Sequence, residues 1–445
     1  MPVPPSRPLR VAVINVTLGN GGDAAIFLGV ERALRAALPP FELAVFETQP
    51  DVAREAFPEY DVRTGLSSVA WPQIAKGIPA RARRVLRWLT MRPRLLAAAR
   101  AWRAGRRDRA LRLAGSEGPD SFRTIAEADV VVSTGGTYFV PAYWLGLRYL
   151  EFDILQALGQ PYVLFTQSVG PFDTMPKERL RPIFEGARLM MLRGQESEDS
   201  VLAIAPATRT VVRADAAFSL ADADQLAAAA ARDWPSSPLV AISVRDWPHF
   251  VTVDPEAGMA RYRESVAAAA THLVRAHNAR IRFLSTCQGR PKYRFDDSAV
   301  ALDIAALLPD DVRARVEVDR AAHHPLAIRD AYAEADLVIA TRMHAAILAL
   351  AGGTPVLGIA YEFKTQELLD TLGLPDWVED IETITPATLV ARLDRVIEGL
   401  PTERAALFAG VEAMRADAME AGALVAEAFA DRIAADRPAT GSEGR

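Results

Sequence analysis

The sequence predicts an α/β protein built from two Rossmann-like, doubly wound domains facing each other across a cleft. Three observations carry this expectation. Short runs rich in Val, Ile and Leu are each followed by a glycine or polar turn and then by a helical pattern. These runs are nearly continuously apolar, the pattern of parallel strands covered on both faces. The whole series then recurs after a Pro/Ser linker, and 445 residues suit two domains of about 200 residues better than one core.

The first series is "VAVINV" (11–16), "ELAVFE" (42–47), "DVVVS" (129–133), "YVLFTQ" (162–167), "RLMML" (188–192) and "RTVVRA" (209–214). The second is "LVAISVR" (239–245), "IRFLSTC" (281–287), "RVEVDR" (315–320), "DLVIAT" (336–341) and "VLGIAY" (356–361). Between them "SLADADQLAAAAARDWPSSP" places the boundary near 222–237, giving an N-terminal domain over 1–222 and a C-terminal domain over 237–400. An alanine-rich helical segment (401–436) and a tail expected to be disordered (437–445) complete the chain.

Composition narrows the function classes. Half the residues are apolar and 24% charged, as in an ordinary globular protein. A net charge of -5 offers no global attraction to nucleic acid, and none is expected as a partner. The single cysteine, Cys287, excludes an intrachain disulfide framework and a cysteine-cluster metal site, which suits a reducing cytosol. It closes an apolar run and is read as an inert buried thiol. The amino terminus lacks the long apolar core of a secretion signal, and no apolar run reaches the roughly 18 residues of a membrane span. The expected location is the cytoplasm.

Ligands of open α/β sheets bind at the carboxyl ends of the strands, so the residues just after each run matter most. After the first come Gly19, Asn20, Gly21, Gly22 and Asp23, a turn that lets backbone approach a ligand at a helix N-terminus. Its spacing also fits a dinucleotide fingerprint with Glu47 ending the next run, although Asp23 stands where a pyrophosphate would want no negative charge; Asp23 could instead cap the helix. "STGGTYF" with Gly135 and Gly136, and "TQSVGPF" with Gln167 and Ser168, repeat the glycine turn. Cations occupy the same address: Arg193, Arg245, Arg342 and Lys364. Arginine's planar fork matches carboxylate and phosphate and lysine supplies a compact charge, which predicts a small, multiply anionic ligand.

His344 stands in the first turn of a predicted helix beside Arg342, with Ile347, Leu348 and Ala351 on the packed face, where an imidazole can move protons near pH 7. The other histidines, His249, His272, His277, His323 and His324, show no metal spacing, and no metal is expected. An insertion at about 75–115, basic from Arg81 to Arg112, interleaves arginines with Leu and Trp. Such a segment suits an anionic membrane surface, with nucleic acid or plain solvation as alternatives.

"GNGGDAAI", "QSVGPF", "RGQES", "RADAAF" and above all "TRMHAAILALAGGTPVLGIAYEFK" with "LGL" resemble the polysaccharide pyruvyl transferase family over about residues 11–375. The resemblance implies a GT-B-like arrangement and transfer of a pyruvyl group from phosphoenolpyruvate to a sugar as a cyclic ketal, without a cofactor. It assigns His344 and Asp23 as catalytic and Arg193, Arg342, Met343 and Lys364 to phosphoenolpyruvate, with Arg245 joining them as a strand-end cation. Asn20, Gly21, Gly22, Gly135, Gly136, Gln167 and Ser168 would form the acceptor-side loops, with the donor on the C-terminal domain. By resemblance the acceptors are sugars of exopolysaccharide, cell-wall polymer or glycolipid precursors, which can be lipid-linked; the basic insertion would dock on the membrane holding them. The rivals are a GT-B glycosyltransferase gripping a nucleotide sugar through Glu362 or Glu367, a dinucleotide-dependent oxidoreductase using Glu47, and a catalytically inactive saccharide-binding relative.

Overall fold

The computed structural model describes residues 7–72, 78–116, 118–141, 143–290 and 295–435. The first residues assigned to the insertion, about 75–77, and the 437–445 tail lie outside these.

One sheet contains seven parallel strands, β1 (Leu9–Val16), β2 (Phe41–Glu47), β3 (Asp61–Thr64), β4 (Val130–Ser133), β5 (Val163–Gln167), β6 (Leu189–Leu192) and β7 (Thr210–Val212), in the order β3-β2-β1-β4-β5-β6-β7. A second contains β8 (Leu239–Ser243), β9 (Arg280–Phe283), β10 (Val316–Val318), β11 (Leu337–Ala340), β12 (Val356–Ala360) and β13 (Val378–Asp380), in the order β10-β9-β8-β11-β12-β13. The strand order reverses direction between β1 and β4 and again between β8 and β11. Side chains leaving those strand ends therefore stand at the switch points where open α/β sheets take ligands. Central strands β4, β5, β6, β8 and β11 are buried at every position, as their unbroken apolar runs require.

The chain divides into two compact units: Met1–Gly19, Ile26–Ala216 and Asp417–Arg445 form the first, and Asn20–Ala25 with Ala217–Ala416 form the second. This corrects three sequence boundaries. The division falls at Ala216/Ala217 and not at 222–237, because the helix Ala223–Ala230, with Leu226 and Ala229 buried, belongs to the second unit. The turn Asn20–Ala25 belongs with the second sheet. The 401–436 segment is also not a separate element. It continues one helix, Pro386–Ala428, that passes Pro401 and carries the chain back into the first unit, followed by the helix Ala430–Ala435. There Ala418, Ala421, Val425 and Phe429 are fully buried, and Arg188 pairs with Asp431 and Arg209 with Glu427 at 2.8 Å.

The basic insertion forms the helices Ile78–Arg103 and Arg107–Ala114. The solvated alternative fails for the longer one, since Met91, Leu95, Ala98, Ala99 and Trp102 join the core of the first unit. Its amino-terminal half presents Val85, Leu86 and Leu89 to solvent, the last two 63% and 65% exposed. Among the described residues no helix is long and apolar enough to cross a membrane.

Candidate functional site

In the second unit, the turn before the helix Gly21–Ala37 is shaped by Asn20. Its Oδ1 accepts the Gly22 N–H at 2.8 Å and lies 3.4 Å from the Asp23 nitrogen. Asn20, and not Asp23, is thus the capping residue, and the half-buried Asp23 carboxylate remains in the first helical turn. The Gly21 N–H donates to the Thr286 carbonyl at 3.0 Å, and a Cβ at Gly21 would collide with that oxygen. A Cβ at Gly22 would lie 2.9 Å from Cβ, Cγ and Nδ1 of His344. The glycines therefore let this turn close onto the segment after β9 and onto the imidazole.

At the end of β11, Thr341 is buried with its hydroxyl 2.7 Å from Tyr262. Arg342 is the N-cap position and Met343 the first residue of the helix Met343–Ala351, placing His344 in the first turn as expected. That helix is buried from Ala345 to Ala351, so its packed surface is the whole circumference and not one stripe. The role expected of Arg342 needs correction: its Nε and Nη2 each donate to Asp297 at 2.7 Å, a bidentate fork at side-chain exposures of 13% and 2%. A carboxylate already occupies the fork predicted for the ligand.

Asp297 opens the helix Asp297–Leu307, and its own N–H donates to the Cys287 carbonyl at 2.7 Å. Nothing in "FDDSAV" marks it as a site residue, because it follows no strand. Burial pushes its carboxyl up while Arg342 pulls it down. Burial likewise opposes the charge on Arg342, but Cys287 once ionised, and the Asp297 carboxylate, hold its guanidinium above the ordinary range. The Cys287 thiol, 3.4 Å from the Asn20 Oδ1, is pushed up to about 11 by burial, with Arg342, Asp297 and Asp23 as its charged neighbours. The cysteine read as inert is indeed buried, and burial favours its protonated form.

Arg245, two residues past β8, stacks over Tyr361 at 4.0 Å and Trp247 at 4.8 Å, which fixes the plane of its guanidinium. Lys364 lies 3.0 Å from Glu362 with its side chain 12% exposed. Glu362, a candidate for gripping a ribose, is thus engaged with the lysine.

The remaining predicted residues stand in the first unit. Arg193, past β6, has a side chain 8% exposed and forms a buried ion pair with Asp215, Nη1 lying 2.7 Å from the carboxylate. Its Nε and Nη2 have no hydrogen-bond partner among the described residues and are donors that a further acceptor would satisfy. Gln167 and Ser168 are buried: the Gln167 side-chain amide donates to the Thr134 carbonyl at 2.6 Å, and the Ser168 backbone N–H donates to the Gly136 carbonyl at 2.9 Å. They tie two loops together, and a Cβ at Gly135 would lie 2.9 Å from the Thr166 carbonyl oxygen. Glu47 is buried and accepts N–H groups of Leu18, Thr48 and Gln49 at 2.5–3.1 Å. Its oxygens hold loop backbone, which removes the ribose contact on which a dinucleotide reading depends.

Elsewhere in the second unit, His272 and His277, set aside from the sequence, meet Asp394. His272 Nε2 lies 2.7 Å from Asp394 Oδ1, and the three ligand atoms fall within 4.8 Å of one another.

Two parallel sheets with strand-end cations, a glycine turn and an R-x-H helix start make a two-domain α/β protein with the fold class of GT-B enzymes. A model of the polysaccharide pyruvyl transferase family matches residues 20–362, and the chain belongs to that family. The amylovoran biosynthesis protein AmsJ of Erwinia amylovora is 26% identical over 294 residues, 62% of this chain and 66% of that protein; the match thus spans just under two thirds of its length. Among solved structures, the UDP-GlcNAc 2-epimerase of Neisseria meningitidis bound to UDP-GlcNAc superposes with a TM-score of 0.55 at 10% identity, covering 95% of this chain and 99% of that one. A putative UDP-N-acetylglucosamine 2-epimerase from Listeria monocytogenes gives 0.54 at 13% identity, covering 90% and 91%. At such identities the likeness is one of fold.

Proposed function

We propose that the protein transfers the pyruvyl group of phosphoenolpyruvate to two hydroxyls of one sugar in a polysaccharide or glycolipid precursor. The observation that supports this most is the packing of His344 against Gly22, in the same unit as Arg342 and Asp23. A proton carrier, a fixed guanidinium and a carboxylate are then held by one glycine turn and one helix start.

His344 delivers a proton to the methylene carbon of phosphoenolpyruvate, which leaves an oxocarbenium-like C2. One acceptor hydroxyl adds there, losing its proton with help from Asp23, and the second hydroxyl displaces phosphate. The product is a cyclic ketal, and the second hydroxyl proton leaves with inorganic phosphate. Lys364 and Arg245 meet the donor's charge; in the first unit Arg193, paired with Asp215, keeps further buried N–H donors for an anion. Arg342 has a different role from the one first expected. Clamped by Asp297, it orients the start of the helix carrying Met343 and His344.

His344→Ala tests the reading. With phosphoenolpyruvate and a lipid-linked saccharide extract from the producing cells, phosphate release should fall about 10²- to 10⁴-fold, the usual contribution of one positioned acid or base. Near wild-type turnover would remove His344 from the mechanism, and release of nucleoside diphosphate from a nucleotide sugar would favour a glycosyltransferase.

The helix Ile78–Arg103 supports a cytoplasmic enzyme held at an anionic membrane face. Leu86 and Leu89 stand three apart on one exposed helical face, among exposed Arg81, Arg83, Arg92 and Arg94. Because the same helix fills the core, point changes are cleaner than deletion. Leu86→Ser/Leu89→Ser should lower co-sedimentation with phosphatidylglycerol vesicles, and unchanged binding would defeat the assignment.

A further inference from the structure

The first unit holds a cavity of about 100 Å³ lined by Asn15, Glu47, Trp144, Arg148 and Glu151 among others. That is several times the roughly 10–15 Å³ that the centre of one water needs, so it admits the hydroxyl edge of a sugar lying against the open rim and excludes a nucleotide. Asn15, next to last in β1 at the switch point, has a left-handed φ of 60°, which asparagine tolerates better than most residues. Its Nδ2 donates to the Ser133 hydroxyl at 3.0 Å, and its Oδ1 accepts Arg148 Nη1 at 2.8 Å. Arg148 in turn stacks over Tyr138 at 3.8 Å.

Two features of the cavity point to a ligand. The first is Glu151, only 4% exposed; one oxygen accepts the Ser67 N–H at 3.0 Å, while Oε1 has no hydrogen-bond partner among the described residues. Burying a carboxylate oxygen without a donor costs free energy that a ligand hydroxyl would restore. The second is Trp144, an indole 61% exposed that forms the rim. It is braced by Trp71 at 5.3 Å and Trp88 at 6.0 Å, which themselves meet at 6.1 Å. A rigid exposed aromatic over a small polar cavity is the anatomy of a ligand site, and a sugar presents both a C–H face and a hydroxyl edge.

We propose that this cavity seats a neutral hexopyranosyl unit of the acceptor, its ring face on Trp144 and a hydroxyl donating to Glu151 Oε1. That the bound sugar belongs to the acceptor rests on the pyruvyl transfer reading; that a sugar binds does not. Neutrality follows from the walls. Glu47 and Glu151 are two buried carboxyls whose environment already disfavours negative charge, burial pushing both up, and Arg148 is committed to Asn15 and Tyr138. A uronate would add a further negative charge. Trp88 comes from the helix Ile78–Arg103, outside the family motifs, so the platform would tune this chain to its own acceptor.

Ligand-observed saturation-transfer NMR on the full chain, with methyl hexopyranosides and methyl glucuronide as probes, tests the idea without using tryptophan as the reporter. At least one neutral hexoside should bind and the glucuronide should not. Trp144→Ala should weaken binding about tenfold and Trp144→Phe should retain most of it, while Glu151→Gln should weaken it severalfold. Absence of hexoside binding to the unaltered protein, preference for the glucuronide, or full binding by Trp144→Ala would overturn the proposal. Phosphoenolpyruvate binding measured alongside by calorimetry separates the two readings: its absence would sink the donor assignment and leave the sugar pocket standing.

Discussion

Removing Asp297 should destabilise the second unit more than removing any exposed acid. Asp297→Ala leaves the Arg342 guanidinium, 13% exposed, without both of its 2.7 Å acceptors. Breaking one side of a buried ion pair costs about 3–5 kcal/mol, because the surviving charge stays desolvated. For a unit of about 200 residues, 1 kcal/mol corresponds to about 2–4 °C, so the relevant calorimetric transition should fall by about 6–20 °C. Replacing both partners by apolar residues, as in Asp297→Leu/Arg342→Met, should recover much of that loss, since a well-packed isostere often matches a buried pair. The double variant should nevertheless be inactive, because the helix start at His344 loses its clamp. A transition for Asp297→Ala within about 2 °C of the wild type would refute the reasoning, since it would mean that water or another group solvates Arg342.

The two glycines of the first turn should behave differently. Gly21→Ala sets a Cβ against the backbone carbonyl of Thr286, which cannot rotate away, and should cost about 1–3 kcal/mol in a urea melt. Gly22→Ala presses on the His344 ring and should act on turnover more than on the melt. Cys287 should resist iodoacetamide at pH 8 in the native protein and react once the chain is unfolded. Its folded value of about 11 lies above the roughly 8.5 of an unfolded thiol. The folded state therefore retains the proton, and the stability it contributes is present below about pH 8.5 and lost as pH rises towards 11. Cys287→Ala should flatten that part of the stability profile; an unchanged difference between pH 8 and pH 10.5 would contradict it.

The sheets were legible because their central strands are buried on both faces and written as unbroken apolar runs. The edge strands β3 and β13 read "DVRT" and "VED", too polar and too short for that signal. The strand-end rule located Arg342, His344 and the Asn20–Asp23 turn, which the fold brings into one unit. It could not reveal Asp297, which reaches the site from the start of a helix distant in sequence, nor that the Arg342 fork is already filled. Gln167 carries the right address but its amide points inward to Thr134, since a strand-end position fixes where a backbone lies and not which way its side chain turns. Trp144, Arg148 and Glu151 follow no apolar run; they lie at or near the start of the helix Gly146–Leu158, an address the strand-end rule does not examine.

The return of the helix Pro386–Ala428 to the first unit has a consequence for biosynthesis. A ribosome making this chain completes all of the second unit, through Ala416, before the first unit receives Asp417 and the buried stripe Ala418, Ala421, Val425 and Phe429. The earliest-made sheet is therefore the last to be covered. A nascent chain stalled near residue 416 would hold one finished unit and one with an uncovered apolar groove, the state a chaperone would meet first.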